Sequence, residues 1–248
     1  MRWRVIPLDT YSGYRNMSID EAISENVAKN ISEPTIRFYR WSPSAVSVGR
    51  FQSLEEEVNI ENCRLQNVDY LRRITGGGAV YHDENGEITY SIIAPQMLFR
   101  NGIRESYEEI CGYIINALTS LNIKSVFAPI NDILVNNRKI SGNAQARKNK
   151  ILLQHGTILY DTDIKKMFTL LNVSKEKISD KMIKNVEERV TSIKREVPGI
   201  TIEEVYNALL KAFTQNKEFR FGTLTSEEIK MLPELEKKYK SKEWNFYR

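Results

Sequence analysis

The chain has 248 residues, 41% of them hydrophobic, so it is long enough to form a sizeable core. Its 36 Lys and Arg residues and 32 Asp and Glu residues give a net charge of +4. This excess is small and dispersed, so charge gives no reason to expect a nucleic-acid partner. No apolar stretch reaches the length of a membrane span, and the N-terminus lacks the pattern of a signal peptide. We therefore expect a cytoplasmic enzyme without a membrane partner.

The first 100 residues alternate between strand-like and helical patterns. Apolar residues at helical spacing predict a helix over 17–30, and a second helix is predicted over 55–67. The Asn85–Gly86 pair predicts a hairpin turn. The predicted strands in this part are 2–8, 36–39, 45–48, 68–73, 79–82 and 88–94.

The remainder begins with a long predicted helix over 105–121 and continues with three strand-like runs at 133–136, 139–146 and 151–160. Asn136–Asn137 and residues 148–150 mark hairpin turns between these runs. After Asp161 the sequence is charged and mostly helical. Helices are predicted over 201–214, where Thr201 opens a capping box, and over 225–239.

This order of elements predicts an α+β fold, in which a mixed, largely antiparallel sheet is flanked by helices. We expect one domain over residues 1–248. It comprises a strand-rich body of about residues 1–160 and a helical region of about residues 161–248, with no C-terminal accessory domain.

The segment RRITGGGAVYHD, residues 72–83, is the most informative stretch of the chain. Three consecutive glycines carry a cost in backbone entropy, so they indicate a sharp turn or a close approach. Arginine guanidinium groups suit carboxylates and phosphates, and a bare glycine backbone offers N–H groups to an anion. The spacing matches neither a P-loop nor a dinucleotide fingerprint. The segment is interpreted as an anion-binding loop that runs into a strand; a simple turn is the alternative.

A second cluster of polar residues follows the Asn136–Asn137 turn. Alternation along a strand places Lys139, Ser141, Asn143 and Gln145 on one face. A fixed ammonium on that face would stabilise negative charge that develops during acyl or phosphoryl transfer. Asp132 is the nearest candidate ligand for Mg²⁺, which usually takes one or two carboxylates in nucleotide sites. His155 is a weaker candidate, since a lone histidine on a strand is more often structural.

Together these clusters resemble the lipoate–protein ligase family, within the wider biotin/lipoate ligase fold. The motifs that carry the resemblance are residues 72–83, Asn131–Asp132, the RKISGNA run at 138–144 and the HGTIL run at 155–159. Weaker matches are residues 16–22, 38–41, 49–52 and 241–245. The order and spacing of the motifs agree across roughly residues 10 to 160.

The resemblance implies an ATP-dependent, adenylate-forming enzyme. Such a ligase binds lipoate and Mg-ATP, forms lipoyl-AMP with release of pyrophosphate, and passes the lipoyl group to a lysine of an acceptor lipoyl domain. That acceptor would be of the 2-oxoacid dehydrogenase E2 or glycine cleavage H type. By motif position Lys139 would be catalytic and Asp132 would serve the metal. The residues implied in substrate and adenylate binding are Arg72, Arg73, Thr75, Gly76, Gly77, Gly78, Ala79, His82, Lys139 and His155.

Many members of the family carry a further C-terminal domain. The resemblance therefore also implies the catalytic subunit of a two-part ligase, with a separate small protein as its accessory subunit. We expect adenylation by the chain alone to be weak.

Three other functions stay open at this stage. Octanoyltransferases share the fold and the glycine run but move the acyl group through a cysteine thioester, and their cysteine lies near the catalytic lysine. Here residues 125–130 contain no cysteine, and Cys63 and Cys111 fall in predicted helices, where we expect them to pack in or near the core. A non-enzymatic acyl- or nucleotide-binding module and a biotin ligase are the remaining alternatives.

Overall fold

A computed structural model describes residues 1–172 and 188–248. Part of the predicted helical region, residues 173–187, lies outside the described residues. The strands are β1 (Trp3–Tyr11), β2 (Thr35–Trp41), β3 (Ala45–Val48), β4 (Asp69–Arg72), β5 (Val80–His82), β6 (Glu87–Pro95), β7 (Val126–Ala128), β8 (Asp132–Val135), β9 (Arg138–Lys148), β10 (Ile151–Leu159) and β11 (Phe219–Phe221). The helices are α1 (Gly13–Ala28), α2 (Leu54–Glu57), α3 (Ile60–Leu65), α4 (Ile103–Ser120), α5 (Ile164–Leu170), α6 (Ile193–Glu196), α7 (Ile202–Thr214), α8 (Ser226–Lys240) and α9 (Lys242–Asn245).

The main sheet has eight strands in the order β11-β1-β2-β6-β10-β9-β8-β7. The pairs of β1 with β2 and with β11 are parallel, and the other pairs are antiparallel. This confirms the predicted α+β fold with a mixed, largely antiparallel sheet. The predicted helical region also contributes β11, which the sequence patterns did not indicate.

Helices cover both faces of this sheet because its central strands are apolar on both sides. Ile92 of β6 packs in the larger core with α4 and α7, whereas its neighbour Ile93 packs in a second core with α1 and α8. Both α7 and α8 begin with a capping box, at Thr201 and Thr225. Among the described helices, none combines the length and apolar character that crossing a membrane requires.

A smaller sheet, in the order β4-β3-β5, carries the glycine run between β4 and β5. The predicted strands on either side of the run are therefore confirmed, with β3 between them. The hairpin predicted at Asn85–Gly86 is wrong, because β5 and β6 belong to different sheets. The Gly86 carbonyl accepts hydrogen bonds from the N–H groups of Tyr160 and Asp161, which extend the pairing of β6 with β10, and the turn connects β5 of the small sheet to β6 of the main sheet.

The two later turns are confirmed as hairpins. Asn136 and Asn137 have φ of 49° and 61° between β8 and β9, and Asn149 and Lys150 have φ of 52° and 62° between β9 and β10. Positive φ at both central residues gives the twist that two-residue hairpins need, and asparagine tolerates it. These hairpins set the register of β9 beside β10, and thereby place residues 141–144 opposite residues 155–158.

Candidate active site

A cavity of about 120 Å³, called here the first cavity, lies where the glycine run meets β9 and β10. Its apolar lining is contributed by Met17, Tyr39, Trp41, Ala79, Val80 and Ala144. Its polar lining is contributed by Ser47, Arg73, His82, Thr89, Asn131, Lys139, Asn143, His155 and Thr157. Gly77, Gly78, Gly142 and Gly156 complete the wall. An apolar cavity with a few convergent polar groups is the usual form of a small-molecule site.

The glycine run is shaped by a close backbone contact. Gly77 has a φ of +92°, which L side chains rarely adopt. A Cβ atom on Gly49, in the loop after β3, would lie 2.0 Å from the Gly77 carbonyl oxygen. Glycine is therefore required on both sides of this contact, and the run folds back onto the end of β3.

Arg73 holds the run from inside. Its guanidinium donates to the carbonyl oxygens of Gly76 at 2.8 Å, Gly78 at 2.7 Å and Ser47 at 2.9 Å. Burial lowers the pKa of Arg73 to about 10, because the charged form is less well solvated. Since its donors are used by the protein, Arg73 sets the shape of the cavity wall.

The Arg72 side chain is not part of the lining of the first cavity. Its guanidinium donates to the carbonyl oxygens of Gly49 at 3.1 Å and Asn245 at 2.7 Å, and also to that of Gln52. The Asn245 side chain in turn accepts from the Arg72 N–H at 2.7 Å. Arg72 therefore ties the end of α9 to the loop after β3. The implied role in substrate binding stays a prediction that these contacts do not support.

Thr75 and His155 meet beneath the run, although 80 positions separate them. Thr75 Oγ1 and His155 Nε2 share a hydrogen bond of 2.7 Å, and Arg73 Nε donates to the same Oγ1 at 3.1 Å. His155 Nδ1 lies 3.6 Å from Asp20 Oδ2, beyond hydrogen-bond distance, and has no other partner in residues 1–172 or 188–248. Burial lowers the pKa of His155, so the imidazole is neutral at pH 7.

His82 is fixed on three sides. Its Nδ1 shares a 2.8 Å hydrogen bond with Glu87 Oε1, and its Nε2 shares one of 2.8 Å with Ser47 Oγ. Its ring stacks on Trp41, with 3.8 Å between centroids and 13° between planes. The Trp41 indole N–H donates to Thr89 Oγ1 at 2.8 Å. The residues around His82 thus build a rigid part of the cavity wall.

Lys139 projects into the cavity from the start of β9. Its Nζ lies 2.7 Å from Asp132 Oδ1 on β8, and its side chain is 41% exposed. Its backbone is held by Arg189 and Thr191, through N–H···O distances of 2.7 and 2.9 Å. A Cβ atom on Gly142 would lie 2.7 Å from Lys139 Cε, so glycine there leaves room for the lysine stem.

The predicted alternation along β9 is wrong at Lys139. Ser141 pairs with Ile133 of β8, but Lys139 pairs with Leu134, so Ile140 is an extra residue. Such a bulge shifts the alternation by one position. Lys139 therefore shares its face with Gly142 and not with Ser141.

Asp132 is held by the Lys139 ammonium rather than by a set of acidic ligands. Within the described ranges, no group of three or more His, Cys, Asp or Glu residues is arranged to hold a metal ion. A site with one carboxylate, such as Mg²⁺ uses in nucleotide sites, is not tested by this absence, so the role of Asp132 as a Mg²⁺ ligand stays a prediction.

Both cysteines lie outside the cavity lining. Cys63 and Cys111 are fully buried, in α3 and α4, as the sequence predicted. Burial raises the pKa of the Cys63 thiol to about 11 and that of Cys111 to about 12. Because the thiolate is the nucleophile, neither side chain is placed or activated for acyl transfer.

Sequence reasoning missed four residues that support the site: Asp20, Ser47, Glu87 and Gly142. The first three come from separate elements, so no local spacing links them to the histidines they contact. Gly142 stands inside the RKISGNA motif, and a glycine inside a strand pattern is a signal of close approach that could have identified it.

Comparisons with known proteins agree on the family. The model of the lipoyl protein ligase A/B catalytic domain matches residues 12–214. The octanoyltransferase LipM of Clostridioides difficile is 36% identical over 98% of this chain and 98% of its own length. The probable lipoate-protein ligase A of Mycoplasma genitalium is 33% identical over 99% of this chain and 72% of its own length.

Solved structures show the same fold. A bi-partite lipoate protein ligase of Thermoplasma acidophilum, studied with its E2 lipoyl domain, gives a TM-score of 0.88 at 30% identity, over 99% of this chain and 96% of that one. A lipoate-protein ligase A bound with ATP gives 0.83 at 28% identity, over 99% of both chains. The chain belongs to the lipoyl protein ligase A/B catalytic-domain family, and it is an enzyme of the lipoate ligase and acyltransferase class.

The same comparisons overturn the predicted main reaction. Relatives from C. difficile, Brevibacillus brevis and Staphylococcus aureus that align over nearly their whole length are octanoyltransferases, at 30 to 36% identity. ATP-dependent ligation of lipoate was the reaction that the motifs implied. The shared motifs report the fold and the cavity of the family, and these are common to both reactions.

Proposed function

We propose that the chain is an octanoyltransferase that moves an octanoyl group from a thioester donor to a lysine of an acceptor lipoyl domain. The observation that carries the proposal is the position of Lys139, whose ammonium is fixed by Asp132 at the wall of an otherwise largely apolar cavity. The octanoyltransferase relatives support the choice of reaction.

The reaction needs only groups of the donor and the acceptor to change covalently. The acceptor lysine loses one proton to solvent, and its neutral amine attacks the thioester carbonyl carbon. A C–N bond forms and the C–S bond breaks. The electron pair and the second proton pass to the donor sulfur, which leaves as a thiol. Negative charge develops on the carbonyl oxygen during attack, and the ammonium of Lys139 would stabilise it.

In this proposal the octanoyl group passes directly to the acceptor. The buried thiols of Cys63 and Cys111 offer no accessible nucleophile for a thioester intermediate. This separates the proposal from the cysteine chemistry that the resemblance implied for transferases.

The roles of the site residues are proposals, and those of Arg73, Thr75 and His155 differ from the substrate and adenylate binding that the resemblance implied. Lys139 is the catalytic group, and Gly77, Gly78, Ala79 and His82 contact the acyl chain. Arg73, Thr75 and His155 hold the wall of the cavity. The acceptor is a lipoyl domain of the E2 or H type. Transfer from a thioester does not need ATP or Mg²⁺. In the test they are therefore added only in the comparison reaction with the free acid.

The test incubates the purified chain with an octanoyl thioester and an apo lipoyl domain and follows the mass of the domain. Octanoylation without ATP is expected, and it should be lost when the acceptor lysine is replaced by arginine. Modification that occurs only with free acid and ATP would overturn the proposal. The separate accessory subunit also remains a proposal, and a full rate by the chain alone would overturn it.

A further inference from the structure

A second cavity, of about 560 Å³, opens on the other side of the glycine run. Gly76 lines the second cavity, whereas its neighbour Gly77 lines the first. On β9, Gln145 lines the second cavity and Ala144 the first. The two cavities are thus adjacent along both the loop and the strand.

Basic side chains predominate in the second cavity. Arg50, Arg147, Lys148 and Lys238 line it, against the two acidic residues Glu21 and Glu25. Lys238 is neutralised by Glu21, whose carboxylate oxygens both lie 2.7 Å from its Nζ. Within residues 1–172 and 188–248, no carboxylate forms an ion pair with any of the other three cations.

Arg50 is the side chain with the clearest unmet bonding capacity. Its guanidinium carbon lies 4.4 Å from the ring centroid of Trp244 and 4.9 Å from that of Tyr247, so aromatic packing fixes its position. Its Nη1 is buried and has no hydrogen-bond acceptor among the described residues. Its Nε and Nη2 are not buried in this way and also donate to no acceptor among the described residues, so they are available to an anion that enters the second cavity.

The rest of the second cavity suits an extended, partly apolar arm. Ile74, Leu153 and Trp244 contribute apolar surface, and Phe51 is 69% exposed at the rim. Guanidinium groups bind phosphate oxygens through paired N–H donors. A ligand that carries a phosphate at one end and an acyl group at the other would occupy both cavities.

We propose that the second cavity binds the phosphate-bearing arm of the acyl thioester donor, with Arg50 and Lys148 as its anion contacts. The inference rests on the proposed function and deepens it. The acyl chain would then lie in the first cavity, which Lys139 lines, and the thioester would lie between the two cavities, along the glycine run. Coenzyme A and the pantetheine arm of a carrier protein share this chemistry.

The test compares donors with and without the phosphate. Octanoyl-N-acetylcysteamine carries the thioester but no phosphate, whereas octanoyl-coenzyme A and an octanoyl carrier protein carry both. For Arg50→Gln and Lys148→Gln, the ratio of kcat/KM with octanoyl-coenzyme A to that with octanoyl-N-acetylcysteamine should fall about tenfold, the usual scale of a lost charge-assisted contact. Lys211→Gln on α7 is the matched control and should leave the ratio unchanged.

The outcomes separate the two proposals. If wild type uses none of the three thioesters, the proposed function fails. If it uses them, and the ratio to octanoyl-N-acetylcysteamine moves in Arg50→Gln and Lys148→Gln neither for octanoyl-coenzyme A nor for the octanoyl carrier protein, the phosphate site is wrong. A fall in kcat/KM with the carrier protein alone would identify the carrier protein as the donor that the second cavity binds. A fall with octanoyl-coenzyme A alone would identify coenzyme A. A rise in KM for the acceptor domain alone would show that the second cavity binds the acceptor, which also overturns the inference.

Discussion

The two cavities on either side of the glycine run differ in how their polar groups are satisfied. In the first, Lys139 is held by Asp132, His82 by Glu87 and Arg73 by backbone carbonyls. In the second, Arg50 is stacked in place but its buried Nη1 has no acceptor. Apart from His155 Nδ1, the first cavity is thus largely pre-organised by the protein, whereas in the second no described carboxylate forms an ion pair with Arg50, Arg147 or Lys148. Polar groups that are already held in place, as in the first cavity, favour catalysis. Cations without carboxylate partners, as in the second cavity, favour binding of an anionic donor.

Removing the fixed charge of the first cavity should have the largest effect. Lys139→Ala is expected to lower kcat for octanoyl transfer by about a hundredfold to a thousandfold, the usual loss when one group that stabilises an oxyanion is removed. Mass spectrometry of the acceptor domain gives the rate. Lys124→Ala, at an exposed position before β7, is the control. A Lys139→Ala enzyme with wild-type kcat would contradict the pre-organised role.

Displacing the same charge should have a smaller effect. In Gly142→Ala the new methyl group would lie 2.7 Å from Lys139 Cε and push the ammonium away from Asp132. We expect kcat to fall roughly tenfold, because catalytic groups are sensitive to small displacements. Gly112→Ala is the matched control, since no atom lies within 4 Å of its added Cβ. Equal rates for the two variants would show that the position of Lys139 is not critical.

The neutral His155 of the first cavity should make stability depend on pH. Burial lowers its pKa in the folded state, while the unfolded chain has a value of about 6.5. Below about pH 6.5 the unfolded state binds the extra proton more readily, so the free energy of unfolding should decrease as the pH falls toward the folded pKa. Above pH 6.5 this contribution is constant.

Urea denaturation at several pH values measures that dependence. In His155→Gln, the free energy of unfolding should change less between pH 6.5 and 5, because the buried group with the lowered pKa has been removed. If the free energy of unfolding has the same slope against pH in wild type and in His155→Gln, groups other than His155 cause the pH dependence.

The smallest effect is expected for the cysteines, which lie outside both cavities. Cys63→Ala and Cys111→Ala remove buried sulfur atoms and should cost some stability, on the order of 1 kcal/mol each. The transfer rate of the folded protein should not change. A loss of transfer in either variant, at a temperature where circular dichroism shows it folded, would restore the thioester mechanism.

Much of the site could be predicted because its chemistry is concentrated in short motifs. Lys139, His82 and His155 lie on strands, and the glycine run lies between two strands of the small sheet, and the hairpins and that sheet bring them to one cavity. The partners that fix them could not be predicted, since Asp20, Ser47 and Glu87 approach only through tertiary packing. Lys139 also changed its face through a bulge at Ile140, which period-two reasoning does not reveal.

The fold class could be predicted from the order of the elements, but the connection at Asn85–Gly86 and the strand β11 could not. Asn85–Gly86 has the composition of a hairpin turn, yet it connects two sheets, because β5 pairs with β3 whereas β6 pairs with β2 and β10. The β11 strand is too short for a pattern to identify. The reaction could not be separated from its alternatives, because transferases and ligases of this family share the fold and the glycine run. The single-domain boundary at residues 1–248 stays a prediction.

The most direct test of octanoyl transfer is the mass of an apo lipoyl domain after incubation with this chain and octanoyl-N-acetylcysteamine in the absence of ATP. We expect wild type and the Cys63→Ala and Cys111→Ala variants to add one octanoyl group to the acceptor lysine. The amount of octanoylated domain should be strongly reduced with Lys139→Ala. An unmodified domain under these conditions, together with modification by lipoate and ATP, would contradict this expectation.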